Sequence, residues 1–142
     1  MNEFQERLKE LLEDNELSRL KLAGYLNISS EAINGYFNKN YYPEISIARK
    51  IAKYFKCSLD FLFGLTDNIN NNVKNNLTFF QTVELLIKQR KISIAKAMKE
   101  MGISEYNYYR WRDGTKPLTS MIIILAKYFD VSVDYLVHNL DK

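Results

Sequence analysis

The sequence predicts an all-α protein built from two tandem five-helix domains. Hydrophobic residues make up 46% of the chain and charged residues 26%, which is the balance of an ordinary globular protein. Only two prolines and five glycines interrupt its 142 residues, and this favours helices. The third observation is an internal repeat, which divides the chain into two similar halves.

The repeat is clearest near the end of each half. Residues 51–65 read IAKYFKCSLDFLFGL and residues 125–139 read LAKYFDVSVDYLVHN, with seven of fifteen positions identical at an offset of 74. Upstream the offset is 75. Two copies are too few for a solenoid, so we predict paired globular domains at residues 1–66 and 77–142. The asparagine-rich segment 67–76 between them is predicted to be a polar linker.

Each copy carries signals for five short helices. The first helix of copy one has apolar residues at i, i+4, i+7 and i+8, beginning at Phe4, and Phe79 begins the matching pattern of copy two. Thr78 and Gln81 have the spacing of a capping box. Pro43 and Pro117 precede the fourth helices. Serines suited to N-cap positions precede the second, third and fifth helices: Ser18, Ser29, Ser58, Ser93, Ser104 and Ser132.

Two short helices joined by a tight turn occupy the middle of each copy. The segments are LSRLKLAGYLNISSEAINGYFNK at 17–39 and ISIAKAMKEMGISEYNYYRWRDGTKP at 92–117. Both resemble the helix-turn-helix of the lambda-repressor/Cro-like (Xre) family, and WRDGTKP resembles the family's Trp-acidic-x-Gly ending. The resemblance covers nearly the whole chain apart from the linker. It implies that the second helix crosses the phosphate backbone of double-stranded DNA and that the third enters the major groove.

The third helix of copy one has an outward face of small and polar residues. On a helical wheel, Ile33, Tyr36 and Phe37 point inward. Asn34 on the other face has the groups to pair bidentately with adenine, and Glu31 has an acceptor for a cytosine amino group. The candidate DNA-binding residues of copy one, including its outward face, are Arg19, Ser29, Ser30, Glu31, Asn34, Gly35, Asn38 and Lys39.

The first position of the second helix departs from the family in both copies. The family usually has Gln there, where it helps to hold a phosphate and to brace the recognition helix. Arg19 occupies this position in copy one and is able to bond a phosphate, whereas Ile94 in copy two is not. Copy two is therefore expected to bind DNA more weakly, or to bind something else.

The third helix of copy two has a different outward face, with Tyr108 and Trp111 pointing inward. Arg110 is the best candidate in the chain for reading guanine. The outward tyrosines suit thymine methyl groups, but exposed Tyr and Arg are equally typical of protein interfaces. The candidate DNA-binding residues of copy two are Glu105, Tyr106, Tyr109, Arg110, Arg112 and Lys116, and Asp113 shares their face.

The fourth helix of copy two is apolar nearly all round, within Met121-Ile-Ile-Ile-Leu125. A helix of this kind is expected to be buried on more than one side. Met121, Ile123 and Ile124 are left over once the domain's own core is filled, so we predict that they form an association surface. A homodimer through the second domain is favoured over packing against the first copy of the same chain.

Charge and composition limit the classes of function. The net charge is +3, with nine Lys/Arg against ten Asp/Glu in residues 1–68 and eleven against seven in residues 69–142. The basic excess of the second half favours a polyanion-facing surface. The single Cys57 excludes an intrachain disulfide, and His138 is the only histidine. We therefore expect no enzyme, no metal or other cofactor and no small-molecule ligand.

The beginning of the chain, MNEFQERLKELLEDN, is acidic and amphipathic and does not resemble a signal peptide. No apolar run approaches the roughly 18–20 residues that cross a membrane. We therefore predict a cytoplasmic protein with no membrane partner.

We predict that the protein is a transcriptional regulator that binds double-stranded DNA sequence-specifically. We expect it to act as a repressor. The alternative is a protein-binding module with the same fold, such as an antitoxin, an antirepressor or a dimerisation factor. The salt dependence of DNA affinity separates the two, because phosphate contacts weaken steeply with salt.

Overall fold

The protein is all-helical in a computed structural model that describes residues 2–38, 41–70 and 73–140. Ten helices and no strands occur within those residues, which confirms the predicted fold class. The chain divides into two compact units, Met1–Asn71 and Asn72–Lys142, which we call the first and second unit. Each unit contains five of the helices.

The first unit is a bundle of five short helices. They are α1 (Glu3–Asp14), α2 (Arg19–Leu26), α3 (Ser30–Asn38), α4 (Ile45–Phe55) and α5 (Leu59–Leu62). Helix α2 contacts both α3 and α4, and α5 contacts α1 and α4. This arrangement leaves one side of α3 open to solvent.

Side-chain caps fix where several of these helices begin. The Ser18 hydroxyl accepts from the amide of Lys21 at 3.1 Å, and the Ser58 hydroxyl accepts from the amide of Phe61 at 2.9 Å, as their positions predicted. Helix α1 begins with a capping box that the sequence analysis did not find. Asn2 accepts from the Gln5 amide, and the Gln5 side chain accepts from the Asn2 amide.

The second unit repeats this order of helices. They are α6 (Phe79–Arg90), α7 (Ile94–Met101), α8 (Glu105–Arg112), α9 (Thr119–Phe129) and α10 (Val133–Val137). The predicted capping box of Thr78 and Gln81 is present, and Ser93 and Ser132 cap α7 and α10. Ser104 occupies the N-cap position of α8, but its side chain makes no capping hydrogen bond.

Each unit has its own apolar core, formed by one face of each longer helix. The core of the first unit includes the fully buried residues Phe4, Leu8, Leu22, Ile33, Ile51 and Leu62. The corresponding core of the second unit includes Val83, Ala97, Met98, Ile122, Leu125 and Val133. These buried positions recur at the offset of the sequence repeat, which is why two different sequences form the same bundle.

The segment predicted as a linker, 67–76, is held at both ends by the neighbouring unit. The Ile69 carbonyl accepts from the Ser58 amide at 2.8 Å, and the Asp67 carboxylate pairs with Arg7 at 3.3 Å. Asn75 is 7% exposed and donates to the Thr82 hydroxyl at 2.9 Å. Both ends of the segment therefore make ordered contacts with the unit beside them, because local hydrogen bonding by asparagine also stabilises ordered turns.

Candidate nucleic-acid interface

A tight turn sets α3 against α2 in the first unit. Helix α2 ends at Asn27, whose backbone adopts the left-handed conformation with φ of 56°, a region that asparagine tolerates better than most residues. The Ser29 hydroxyl then accepts from the amide of Ala32 at 3.1 Å and starts α3. Ser29, a predicted DNA contact, therefore has a structural role as an N-cap.

Helix α3 presents the two faces that the sequence predicted. Ile33 is fully buried, while Tyr36 and Phe37 are half-buried. The carbonyl of Tyr36 accepts from the Gln5 side chain, which ties the end of α3 to α1. Burial raises the pKa of Tyr36, and the nearby Glu44 carboxylate raises it further. The exposed face consists of Ser30, Glu31, Asn34 and Asn38, with Gly35 partly exposed between them.

Arg19 links α2 to the exposed face of α3. Its guanidinium lies 3.9 Å from the centre of the Phe37 ring and donates to the Asn34 side-chain oxygen at 3.4 Å. Because a guanidinium has five N–H donors, one bond to Asn34 leaves others for a phosphate. Arg19 is exposed, so those donors face solvent. The geometry therefore couples the residue predicted to bind a phosphate, Arg19, to the residue predicted to read a base, Asn34.

Gly35 occupies a position where the fold does not require glycine. A Cβ atom built there would meet nothing within 4 Å. Glycine inside a helix is about 0.5–1 kcal/mol less favourable than alanine. Its effect is to flatten the outward side of α3, which suits close approach of a second molecule.

Lys39, the last candidate of this unit, lies outside the described residues.

The corresponding turn of the second unit uses glycine in place of asparagine. Helix α7 ends at Gly102 in the left-handed conformation, with φ of 70°. Tyr108 and Trp111 on α8 are buried, at 3% and 5% exposed, as the sequence predicted for its inward face. The predicted contact residues on α8 and just beyond it, Glu105, Tyr106, Tyr109, Arg110, Arg112 and Lys116, are all exposed.

The arginines of α8 already have partners within the second unit. Arg110 lies over the Tyr106 ring at 5.6 Å, and Arg112 lies over the Tyr109 ring at 5.2 Å. Arg112 also pairs with Asp113 at 3.0 Å, and this hydrogen bond raises the pKa of the guanidinium. At the start of α7, where Arg19 stands in the first unit, Ile94 is half-exposed and offers no hydrogen bond.

The predicted apolar surface on α9 is smaller than expected. Ile123 is only 6% exposed, so burial within the chain leaves little of it for a partner. The expectation that all three side chains remain exposed after the core is filled was therefore wrong for Ile123. When a helix is apolar on nearly every side, a helical wheel does not show which of its side chains the rest of the chain covers. Ile124 remains 37% exposed and Met121 is half-buried. Their contact with a second chain stays a prediction.

The exposed apolar surface of the first unit is larger than the sequence indicates. Leu20, which we expected at this surface, is 71% exposed; Tyr25 on the same helix is 66% exposed, and its ring stacks on the Tyr54 ring of α4 at 5.0 Å. A helical wheel of α2 would also have found Tyr25, because it falls outside the stripe of buried residues. The Tyr25–Tyr54 contact joins two helices and was not readable from either alone.

Comparison with known families bears on the first unit. A family model described as helix-turn-helix matches residues 8–62. Residues 8–62 of the first unit are therefore similar to the helix-turn-helix family. The match indicates DNA binding and transcription regulation in general terms, and it supports one of the two predicted copies. No match was found among curated proteins or among solved structures.

Two further searches bear on other kinds of site. The part of the chain that the structure describes holds no group of three or more His, Cys, Asp and Glu side chains placed to bind a metal ion. Within the same residues, no helix combines the length and the apolar character needed to span a membrane.

Proposed function

We propose that the helix-turn-helix domain of the first unit binds double-stranded DNA sequence-specifically, with α3 in the major groove, and that the protein acts as a transcriptional repressor. The observation that carries the proposal is the link between Arg19 and Asn34 at the exposed face of α3. A phosphate contact positions a protein on DNA, and a base contact gives it specificity. Here one hydrogen bond at 3.4 Å joins a group of each kind.

Asn34 is the proposed base-reading residue. An asparagine amide matches the donor and acceptor that adenine presents in the major groove. The Asn34 oxygen has two acceptor positions, so the bond from Arg19 leaves one for the adenine amino group. Because Arg19 is itself stacked on Phe37, its bond to the Asn34 oxygen favours one orientation of the amide. Ser30 and Glu31 are proposed to contact neighbouring bases, and Gly35 allows α3 to approach them closely.

Phosphate contacts are proposed for Arg19, Asn38 and Lys39. Arg19 lies at the first position of α2, where the positive end of the helix dipole also favours an anion. Repression then requires only occupancy, because a protein bound in the major groove over a promoter excludes other proteins from that site. The second unit's Arg110, Arg112 and Lys116 remain candidates for additional DNA contacts.

Selection of bound sequences from a random duplex pool, using the full chain, tests the proposal. The parent protein is expected to enrich one short sequence. Replacing Asn34 by alanine should weaken binding to that sequence by about 1–3 kcal/mol and relax the preference at one base pair. The exposed Asn76→Ala variant serves as the control and should keep the parent's preference. If Asn34→Ala enriches the same sequence as the parent, α3 does not read DNA in this way.

A salt titration separates this proposal from the protein-binding alternative. A protein that contacts phosphates loses affinity for bulk duplex DNA steeply between low and moderate salt, because bound counterions are released. A module that binds only proteins has no such affinity to lose. The test is to measure the affinity of the full chain for bulk duplex DNA at two salt concentrations. If no salt-dependent binding is found, the proposal of DNA binding is rejected.

A further inference from the structure

The exposed strip of α8 carries chemistry that the strip of α3 lacks. Tyr106, Tyr109, Arg110 and Asp113 lie at i, i+3, i+4 and i+7 and are all exposed; we call them the α8 strip. Tyr106 is 68% exposed and Tyr109 is 36% exposed, so two aromatic rings face solvent on one short helix. Exposed Tyr and Arg side chains are enriched in protein interfaces.

The α8 strip is complementary to itself. Its four positions are symmetric about the point between Tyr109 and Arg110. If a second α8 helix packs antiparallel across that point, each Tyr109 ring meets the Arg110 guanidinium of the other chain. Each Tyr106 then meets the Asp113 carboxylate of the other chain. We propose that this strip is the surface on which a second copy of the chain docks, through a two-fold axis between Tyr109 and Arg110.

Both kinds of contact in this arrangement are favourable. A guanidinium over a tyrosine ring is attracted by the ring's quadrupole, and a phenol donates a hydrogen bond to a carboxylate. The present partners leave room for them. Arg110 lies 5.6 Å from the Tyr106 ring centre, and the Asp113 carboxylate is paired with Arg112 while remaining 66% exposed. Each group can therefore gain a partner from the second chain.

The corresponding strip of α3 does not have this property. Glu31, Asn34, Gly35 and Asn38 occupy the matching positions. An antiparallel copy would place Asn34 against glycine and Glu31 against asparagine, with no ring and no opposite charge to meet either. Self-complementarity is therefore a feature of the second unit and not of the fold.

Two observations favour a second chain over DNA as the occupant of the α8 strip. Ile94 gives α7 no phosphate donor where the first unit has Arg19. The Asp113 carboxylate also lies on the strip itself, where it would repel a phosphate backbone but accept from a tyrosine. The strip is small compared with the roughly 1,200 Å² of a stable interface, so the dimer is expected to be weak.

The test is sedimentation equilibrium of the full chain, without DNA, beside charge variants. Tyr106→Glu places a carboxylate opposite Asp113 of the partner twice per dimer, and should lower the association constant about tenfold or more. Adding Asp113→Lys to the same chain creates an opposite-charge pair across the axis and should restore association. Seven positions separate residues 106 and 113, which corresponds to about 10.5 Å of helical rise, so we do not expect this rescue to arise from a pair within one chain.

Ile124→Lys on α9 alters the other candidate surface of the same unit, so it distinguishes the α8 strip from that competing surface. The proposal expects this variant to associate like the parent. Mixing Tyr106→Glu chains with Asp113→Lys chains should give more dimer than either variant alone. A parent that stays monomeric at several hundred micromolar, a double variant as defective as Tyr106→Glu, or loss of the dimer only in Ile124→Lys would each overturn the proposal. None of these results would bear on DNA binding by the first unit.

Discussion

Helices α3 and α8 hold the same place in the repeated fold but present different chemistry to solvent. Their inward residues correspond at the offset of 75, with Ile33 matching Tyr108 and Tyr36 matching Trp111. Their outward residues differ in type. Amides and a glycine face solvent on α3, whereas tyrosines and an arginine face solvent on α8. The comparison shows that the two helices share their buried positions and differ at their exposed ones, so we expect the exposed positions to determine what each unit binds.

The helices that precede them differ in the same way. On α2, Tyr25 stacks on Tyr54 and leaves both rings largely exposed. At the matching positions of the second unit, the Tyr128 hydroxyl donates to Glu100, and Arg90 lies over the Tyr128 ring at 4.4 Å. One arrangement exposes apolar surface and the other covers it with charge. The two units therefore present different surfaces at these matching positions.

The largest expected effect concerns the aromatic residue at the C-terminal part of each compared helix. Trp111 is buried and meets Phe79 edge-to-face at 5.4 Å, whereas the matching Tyr36 is half-buried and meets Phe4 at 6.3 Å. Trp111→Ala should destabilise the second unit by about 3–5 kcal/mol, because it leaves a large cavity. Tyr36→Ala should have a smaller effect on the first unit.

Urea unfolding followed by circular dichroism measures both variants. Trp111 is the only tryptophan, so its fluorescence reports the second unit alone in Tyr36→Ala. That fluorescence transition should stay at the parent's midpoint while the circular dichroism transition shifts. Equal losses from Trp111→Ala and Tyr36→Ala would show that the two positions are packed alike, against the difference in burial.

The second effect concerns a buried amide that is found beside α6 and has no counterpart in the first unit. Asn75 donates to the Thr82 hydroxyl and to the Tyr135 carbonyl, each at 2.9 Å. Asn75→Ala should destabilise the second unit by about 1–3 kcal/mol, because the buried Thr82 hydroxyl and the part-buried Tyr135 carbonyl each lose a partner. The neighbouring Asn76→Ala, which changes an exposed side chain, should shift the Trp111 fluorescence midpoint by much less. Equal shifts would mean that the Asn75 network contributes nothing.

The parts of the fold that depend on nearby residues were predictable from the sequence. Helical periodicity, the Thr78–Gln81 capping box and the capping serines Ser18 and Ser93 involve residues within a few positions of one another, and all are present. The inward and outward faces of α3 and α8 follow from the same periodicity. Local physical chemistry was sufficient for each of these.

The parts that depend on contacts between distant residues were not predictable. Asn75 looked like a linker residue, yet it bonds the carbonyl of Tyr135, sixty positions away. The stacking of Arg19 on Phe37 joins two helices, and the burial of Ile123 depends on which neighbours cover α9. A helical wheel contains no information on any of these contacts.

The third effect tests the difference between Arg19 and Ile94. Arg19→Ala in the full chain should lower affinity for all duplex sequences and reduce the slope of log affinity against log salt by about 0.9, the value for one lost phosphate contact. The reverse change, Ile94→Arg, gives α7 a hydrogen-bond donor for phosphate at the position that Arg19 holds in α2. If only the first unit contacts DNA, Ile94→Arg should leave the slope unchanged, whereas a slope steeper by about 0.9 would place the second unit on DNA as well.

The smallest expected effect is a difference in stability at high pH, carried by one tyrosine on each compared helix. Burial raises the pKa of Tyr36, with a further contribution from Glu44, and burial raises the pKa of Tyr108, with further contributions from Glu84 and Tyr109 that Arg112 opposes. A folded pKa above the unfolded value of about 10 means that the folded state holds the phenol proton more tightly. The stabilising contribution is then complete below about pH 10 and is lost as pH rises through the folded pKa.

The test compares urea midpoints above pH 10 between the parent and a phenylalanine variant of each unit. The midpoint of the first unit should fall more steeply with pH in the parent than in Tyr36→Phe. The midpoint of the second unit should fall more steeply in the parent than in Tyr108→Phe. Lysine deprotonation affects the parent and the phenylalanine variants alike, so the difference between their slopes isolates the tyrosine. Identical slopes for a variant and the parent would show that the tyrosine on that helix ionises equally easily in the folded and unfolded states.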